Sequence, residues 1–345
     1  MRNSIIIFIL AVVFFACGKD KNLDVNEHYF VRSNGADMSV WLKGSKANKT
    51  VIFIVHGGPG GSAMDYRMPS FTDPLEEKYV VVYWDQRGSG ASMGNYDTTL
   101  FSIPQYVEDL YKVKKFVESE LGTDYSWFLY GHSWGGLLGS SFMLNEQYQQ
   151  EFSGWIESDG AHNMPLLNAL ERNMLIYYGR QELMAGNNKE RWKEIVEYCE
   201  SLDSVNIDMY ESAQMNKYSY EAEGLLDSVY VGNGMTPGFA LKYLLASQYA
   251  PISNWISNTW TNIMLREDVE ESALSNQLYK IKIPTLLLWG KYDFVTPPEL
   301  GYDALNNLGT EDKYLIIYEN SGHAPMDAQP VEYVTDIINF IESYR

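Results

Sequence analysis

Two short runs of exclusively apolar residues constrain the fold of this chain more than any other feature. They are Val51–Val55 and Val80–Trp84. A strand that faces solvent on one side alternates apolar and polar residues, whereas a strand buried on both faces is apolar throughout. Such strands occur in parallel sheets that helices cover on both faces, so the two runs predict the centre of a sheet of this kind.

The rest of the chain alternates between strand and helix patterns. An opening pair of strands is predicted around a turn at Asn34-Gly35. Further strands are predicted at 127–130, 155–156, 285–289 and 314–318, and helices at 106–121, at 137–148 and from Pro330 onward. The sequence therefore predicts an α/β fold with a mostly parallel central sheet flanked by helices.

One long stretch, residues 163–279, interrupts this alternation. It has helical patterns that are rich in Tyr, Trp and Met and contains no convincing series of strands. We interpret it as a helical cap inserted after the sixth strand, with most of its aromatic residues forming the cap's own core. The cap is expected to cover the carboxyl ends of the strands, where open α/β sheets bind ligands. The core domain is then 28–162 together with 280–345.

The N-terminus is predicted to be a targeting segment. Arg2 precedes a twelve-residue apolar run that ends at Ala16, and Cys17 follows. As a helix the run spans about 18 Å, too short for the roughly 30 Å core of a bilayer. It resembles a bacterial lipoprotein signal, which implies a signal peptide at 1–16, a lipid on Cys17, a tether at 17–27 and location in the cell envelope. Phe14 and Phe15 depart from the usual residues before the cysteine, and simple secretion and an uncleaved anchor are the alternatives.

Charge and cysteine content exclude several classes of protein. The chain has 45 acidic and 26 basic residues and a net charge of −19. This balance argues against a basic nucleic-acid face and against binding to anionic lipid, so membrane contact is expected through the anchor alone. Cys199, the one other cysteine, lies in a helical pattern and is expected to be buried. No metal-binding motif is present, and we expect no metal and no cofactor.

The motif with the clearest chemistry is Gly131-His132-Ser133-Trp134-Gly135-Gly136, between a predicted strand and a predicted helix. It fits GxSxG, the nucleophile elbow, in which a sharp turn presents the serine at the start of a helix. The flanking glycines are needed because side chains would clash in so tight a turn. Ser133 is therefore the candidate nucleophile.

A serine hydroxyl needs a general base, and the base needs an acid to orient it. His323 lies in the loop after the last predicted strand, and Asp293 lies just after the strand before it. The chain order Ser133, Asp293, His323 is the order that an elbow-bearing fold requires. His162, at the entrance to the cap, is the weaker rival for the base.

The glycine-rich loop His56-Gly57-Gly58-Pro59-Gly60-Gly61 follows the strand Val51–Val55. In a fold with this elbow, that loop supplies one backbone N–H to the oxyanion hole, and the residue after the nucleophile supplies the other. We assign these two donors to Gly58 and Trp134. His56 is expected to support the loop and not to act as a base.

Other functions also need weighing. The loop after Val55 fits GxGxxA of nucleotide-binding proteins, but it opens no helix at once. No acidic residue ends a second strand about 20 residues further on, and Asp85 is somewhat too far. A dehalogenase or epoxide hydrolase would need a carboxylate where Ser133 stands. A non-catalytic lipoprotein that binds a ligand under the cap remains an alternative.

Together these motifs resemble the α/β-hydrolase superfamily. Within it, HGGPG at 56–60 followed by DQRGSG at 85–90 is similar to the proline iminopeptidase branch. The resemblance covers the sheet domain and implies a triad of Ser133, Asp293 and His323. It also implies cap glutamates that bind the substrate's free α-amino group. Candidates for these include Glu171, Glu182 and Glu221, with no assignment among them.

The predicted function is therefore a serine hydrolase that cleaves an amide or ester through an acyl-enzyme. The resemblance favours a proline iminopeptidase-like aminopeptidase acting on a small molecule or a short peptide. A carboxylesterase of small apolar esters is the alternative.

Overall fold

The computed structural model describes residues 24–92, 94, 97–226 and 251–345, with the backbone alone at 251–255. The predicted signal peptide and Cys17 lie outside the described residues. Within the described part, every helix is too short or too polar to span a bilayer.

The described residues form one eight-stranded sheet in the order β1-β2-β4-β3-β5-β6-β7-β8. Strands β3 to β8 run parallel, and β1 and β2 add an antiparallel edge. The strands are β1 (Val25–Ser33), β2 (Ala36–Gly44), β3 (Thr50–Val55), β4 (Val80–Trp84), β5 (Ser126–His132), β6 (Gly154–Ser158), β7 (Thr285–Gly290) and β8 (Lys313–Tyr318).

Helices connect these strands and cover both faces of the sheet. The α-helices are α1 (Thr72–Glu76), α2 (Ile103–Leu121), α3 (Trp134–Met143), α4 (Glu146–Gln149), α5 (Met164–Ala185), α6 (Lys189–Ser201), α7 (Met209–Leu225), α8 (Pro251–Glu270), α9 (Pro298–Asn307), α10 (Pro325–Ala328) and α11 (Pro330–Tyr344). Short 3-10 helices lie at Ala63–Tyr66, Gly90–Ser92, Thr98–Leu100 and Ser275–Lys280.

Every residue of β3 and of β4 is buried, as expected for strands covered on both faces. One apolar cluster lies between the sheet and α2, α3 and α9, and a second lies between the sheet and α1 and α11. Helices α5 to α8 lie between β6 and β7 in the chain. Trp192 and Cys199 are buried in a third cluster, which joins α5, α6 and α7. The fold is the predicted mostly parallel sheet with a helical insertion.

Local signals explain where several elements begin. Asn34 and Gly35 have φ of 42° and 84°, the left-handed conformation of a two-residue hairpin turn, and they join β1 to β2. The Asn163 side chain accepts the Leu166 N–H at the start of α5. At α7, Asp208 and Glu211 form a reciprocal capping box.

Two sequence predictions are wrong in detail. The predicted tether, 17–27, is too long, because Val25 to Glu27 already belong to β1, where they pair with Gly44 to Leu42. The predicted helix at 137–148 is two helices, because the Asn145 side chain accepts backbone N–H groups that start α4.

Candidate active site

Ser133 lies in the turn between β5 and α3 with φ of 59° and ψ of −122°. This region is sparsely populated for residues other than glycine, and such strain is typical of functional sites. The neighbouring glycines leave no room for a side chain. A Cβ on Gly131 would lie 2.3 Å from the Gly135 carbonyl oxygen, and one on Gly135 would lie 2.1 Å from the Val55 carbonyl oxygen. The elbow is therefore built as its sequence pattern predicts.

Asp293 and His323 come together at the carboxyl ends of β7 and β8. His323 Nδ1 lies 2.9 Å from Asp293 Oδ2. Thr296 donates its backbone N–H to Asp293 Oδ1 at 2.8 Å and its hydroxyl to Oδ2 at 2.6 Å. Burial raises the pKa of Asp293, and the two Thr296 hydrogen bonds oppose that rise. These contacts fix the carboxylate against the imidazole.

The free nitrogen of His323, Nε2, is buried and has no hydrogen-bond partner among the described residues. Burial lowers the pKa of His323, while the nearby carboxylates Asp159 and Glu223 raise it. His323 and Ser133 line one cavity of about 470 Å³, which we call the outer cavity. The arrangement leaves Nε2 available to a group in that cavity.

Ser133 also lines a second cavity, of about 340 Å³. We call it the cap cavity, because its walls include faces of α5, α7 and α8. Gly58 and Trp134, the predicted oxyanion donors, line it together with Ser133. Leu137 and Leu167 are among its apolar wall residues. The structure thus brings all five predicted site residues of the core to one place, where two cavities meet.

The cap cavity contains two carboxyl groups. Glu171 is 1% exposed; its Oε1 accepts the Ser219 hydroxyl at 2.7 Å, and Oε2 has no partner among the described residues. Glu270 also lines the cavity. Burial raises the pKa of both groups, that of Glu171 strongly. The other glutamates considered from the sequence lie elsewhere: Glu182 accepts from Asn187, and Glu221 pairs with Arg191.

His56 and His132 act as neutral hydrogen-bonding links. His56 donates from Nδ1 to the Gly57 carbonyl oxygen at 2.7 Å and accepts the Gln86 N–H at Nε2. His132 donates from Nε2 to the His323 carbonyl oxygen at 2.8 Å and accepts the Tyr66 hydroxyl at Nδ1. Burial lowers the pKa of His56 to about 4 and that of His132 to about 3.

Tyr66 extends this chain of hydrogen bonds to the glycine-rich loop. Its hydroxyl accepts the Gly57 N–H at 2.8 Å and donates to His132 at 2.7 Å. One directional chain therefore runs from the loop that carries Gly58, through Tyr66 and His132, to the backbone of His323.

The DQRGSG segment holds the same loops. Asp85 Oδ1 accepts from the Ser62 hydroxyl and the Ala63 N–H, both at 2.8 Å. A Cβ on Gly90 would lie 2.3 Å from Asp85 Oδ2, so the glycine makes room for that carboxylate. The Gln86 side chain bridges the loop and the elbow, since it donates to the His56 carbonyl oxygen and accepts from the Trp134 indole.

His162, the rival base, is fully buried away from both cavities. Its two nitrogens each lie 3.1 Å from a carboxylate, Nδ1 from Glu157 and Nε2 from Asp303. Burial lowers the pKa of His162, but the two carboxylates outweigh it and raise the pKa to about 9. Both ring nitrogens are occupied, so this histidine ties β6 to α9.

Two acidic residues next to the triad were not predicted from the sequence. Asp159 follows β6 as Asp293 follows β7, and it accepts the Gly290 N–H at 2.9 Å. That position, at the carboxyl end of a buried strand, is a signal that could have found it. Glu223 comes from α7 and accepts the His323 N–H; nothing in the local sequence marks it. Within the described part of the chain, no three His, Cys, Asp or Glu side chains form a set able to hold a metal ion.

Comparison with known proteins adds to this geometry. The family described as the alpha/beta hydrolase fold matches residues 50–330. A proline iminopeptidase from Saccharolobus solfataricus is 30% identical over 329 residues, which cover 95% of this chain and 96% of that protein. One from Flavobacterium johnsoniae is 24% identical, over 90% of this chain and 96% of that protein.

A solved structure gives the same picture of the fold. The crystal structure of a proline iminopeptidase from Mycobacterium smegmatis superposes with a TM-score of 0.60 and covers 92% of this chain and 98% of that one. At 14% identity, this likeness concerns the fold alone.

Proposed function

The chain belongs to the α/β-hydrolase family, in its proline iminopeptidase-like branch, and is a hydrolase; from that membership we propose that it is an aminopeptidase that releases a small N-terminal residue such as proline. The observation that carries the proposal is the Glu171 carboxyl group, buried with one oxygen unpartnered in the cavity that Ser133 lines.

In this proposal Ser133 attacks the scissile carbonyl carbon. His323 donates from Nδ1 to Asp293, so Nε2 accepts the serine proton and returns it to the leaving group. Asp293 holds the imidazole in the required tautomer and stabilises its charged form. The acyl-enzyme on Ser133 is then hydrolysed by water, with His323 again acting as base.

Negative charge develops on the carbonyl oxygen when Ser133 attacks. The N–H groups of Gly58 and Trp134 are assigned to that oxygen, since both residues line the cap cavity beside Ser133. Donors fixed by the protein stabilise this charge strongly, and loss of one typically costs about 10²–10³ in rate. The hydrogen bonds of Tyr66, Asp85 and Gln86 hold the two donor segments in place.

The cap cavity is assigned to the residue that is released. A pyrrolidine ring suits its apolar wall, and the free α-ammonium group needs a carboxylate, because a buried cation without a partner is very costly. Glu171 supplies the unpartnered oxygen, and Glu270 is a second carboxyl group in the same cavity. Burial raises the pKa of Glu171, and an ammonium group bound beside it favours the ionised carboxylate.

The outer cavity is assigned to the leaving group, because His323, which protonates that group, lies in its wall. We also propose, from the N-terminal sequence alone, that the protein is a lipoprotein of the cell envelope anchored through Cys17.

The test compares proline arylamide with its N-acetyl form, which lacks the positive charge but keeps the scissile bond. We expect kcat/KM to fall by about a hundredfold or more on acetylation, which corresponds to about 3 kcal/mol. Glu171→Gln should reduce the preference for the free arylamide over its N-acetyl form by at least about tenfold. Glu182→Gln, on the same helix but outside the cavity, should keep this preference.

Equal rates on the two arylamides would refute the aminopeptidase proposal. Hydrolysis of p-nitrophenyl esters with no arylamide activity would favour the carboxylesterase alternative.

A further inference from the structure

Glu223 contacts the loops of both triad partners at once. Its Oε1 accepts the His323 N–H at 3.1 Å and the Phe294 N–H at 3.3 Å, and Oε2 lies 3.2 Å from the same His323 nitrogen. Phe294 is the residue after Asp293. One side chain from α7 therefore bridges the segment that carries the acid and the segment that carries the base.

The loop before His323 is shaped to receive this carboxyl group. A Cβ on Gly322 would lie 2.2 Å from Glu223 Oε2, far closer than atoms can approach. One turn earlier on α7, the Tyr220 ring meets the His323 ring edge-on, with centroids 5.9 Å apart. The end of α7 thus contacts both the backbone and the imidazole of His323.

We propose that Glu223 is a positioning residue of the triad, which couples the cap helix α7 to the geometry of Asp293 and His323. The inference rests on the proposed role of His323 as the base. It assigns Glu223 no contact with the substrate and gives Gly322 a specific reason to lack a side chain.

An acceptor oxygen, and not a full charge, performs this role. Burial, together with the neighbouring Asp293, raises the pKa of Glu223 to about 8. Both of its partners are backbone N–H groups, which a neutral acceptor oxygen also satisfies. A glutamine places an amide oxygen in the same position, so Glu223→Gln is the conservative variant.

The first test measures kcat and KM on two substrates, proline arylamide and p-nitrophenyl acetate, which has no amino group. Glu223→Leu should lower kcat at least about a hundredfold on both, with KM nearly unchanged, because misplaced catalytic groups slow chemistry more than binding. Glu223→Gln should keep kcat within about tenfold of the wild type. Glu221→Leu, on the outer side of the same helix, is the control and should match the wild type.

The second test is a double-mutant cycle with Gly322. Gly322→Ala should lower kcat in the wild type, where the new methyl group displaces the carboxyl group, but should cost little in Glu223→Ala. Thermal unfolding checks that each variant is folded. If Glu223→Leu does not fold, the cycle still tests the positioning role of Glu223.

Three outcomes overturn the inference. The first is a loss of kcat in Glu223→Leu that is confined to the arylamide, which would identify an ammonium-binding residue. The others are a Glu223→Gln variant with a kcat as low as that of Glu223→Leu, and an equal effect of Gly322→Ala on kcat in the wild type and in Glu223→Ala. If the wild type does not cleave the arylamide, or cleaves it no faster than its N-acetyl form, the aminopeptidase proposal fails, and the ester still reports on Glu223.

Discussion

The buried ion pair between Arg87 and Asp109 gives a prediction about stability. Both side chains are fully buried, and two hydrogen bonds of 2.8 and 2.9 Å join them. The guanidinium group also donates to the carbonyl oxygens of Ser33 and Asn34. The pair therefore ties the DQRGSG segment to α2 and to the β1–β2 hairpin. The perturbation is Asp109→Asn, which keeps the shape of the side chain and removes its charge.

The expected cost is about 3–5 kcal/mol, because the change leaves the Arg87 charge buried without a counter-charge. A chain of this length has an unfolding entropy of about 0.7 kcal/mol per kelvin near its midpoint. The melting temperature should therefore fall by roughly 4–7 °C.

Urea unfolding, followed by circular dichroism, measures the change in free energy at constant m-value. The matched control is Asp37→Asn, which breaks the ion pair with Arg32; both of these side chains are more than half exposed. Exposed pairs contribute about 0–1 kcal/mol, so this variant should be close to the wild type. If the two variants lose the same free energy, the buried pair does not have the role assigned to it.

Three further predictions concern other parts of the chain. Tyr66→Phe should lower kcat about ten- to a hundredfold with little change in KM, because Gly57 and His132 lose their shared partner; unchanged kcat would contradict this. His162 has a pKa raised to about 9, so its contribution to stability, about 3 kcal/mol, is fully present below about pH 6.5 and lost as pH rises through 9. The free energy of unfolding of the wild type should exceed that of His162→Gln by an amount that shrinks over this range, and a constant difference would contradict the charged pair. Wild-type protein expressed in a bacterium should partition into the detergent phase and Cys17→Ser should not; an unmodified mature Cys17 by mass spectrometry would contradict lipidation.

Much of the sheet could be predicted because strands that are buried on both faces are runs of apolar residues in the sequence. The predicted bounds of β4 coincide with the observed strand. The start of β1 was missed because Val25, Asn26 and Glu27 show little apolar pattern, and their pairing with β2 is a property of the backbone.

The core part of the candidate site was accessible from the sequence for a similar reason. Ser133, Asp293 and His323 each follow a recognisable strand, and the carboxyl ends of parallel strands meet at one edge. Cap residues carry no such signal. Glu171 and Glu223 lie on helices whose orientation depends on packing against the core, so spacing along the chain does not distinguish them from Glu182 or Glu221.

The central claim is that Ser133 is the nucleophile, and reaction with a fluorophosphonate tests it directly. Intact-mass and peptide analysis of the wild type should show one adduct, located on Ser133. The matched control Ser141→Ala, on the same helix α3, should be labelled at the wild-type rate, whereas Ser133→Ala should remain unlabelled while still folded. Undiminished labelling of Ser133→Ala would contradict the account.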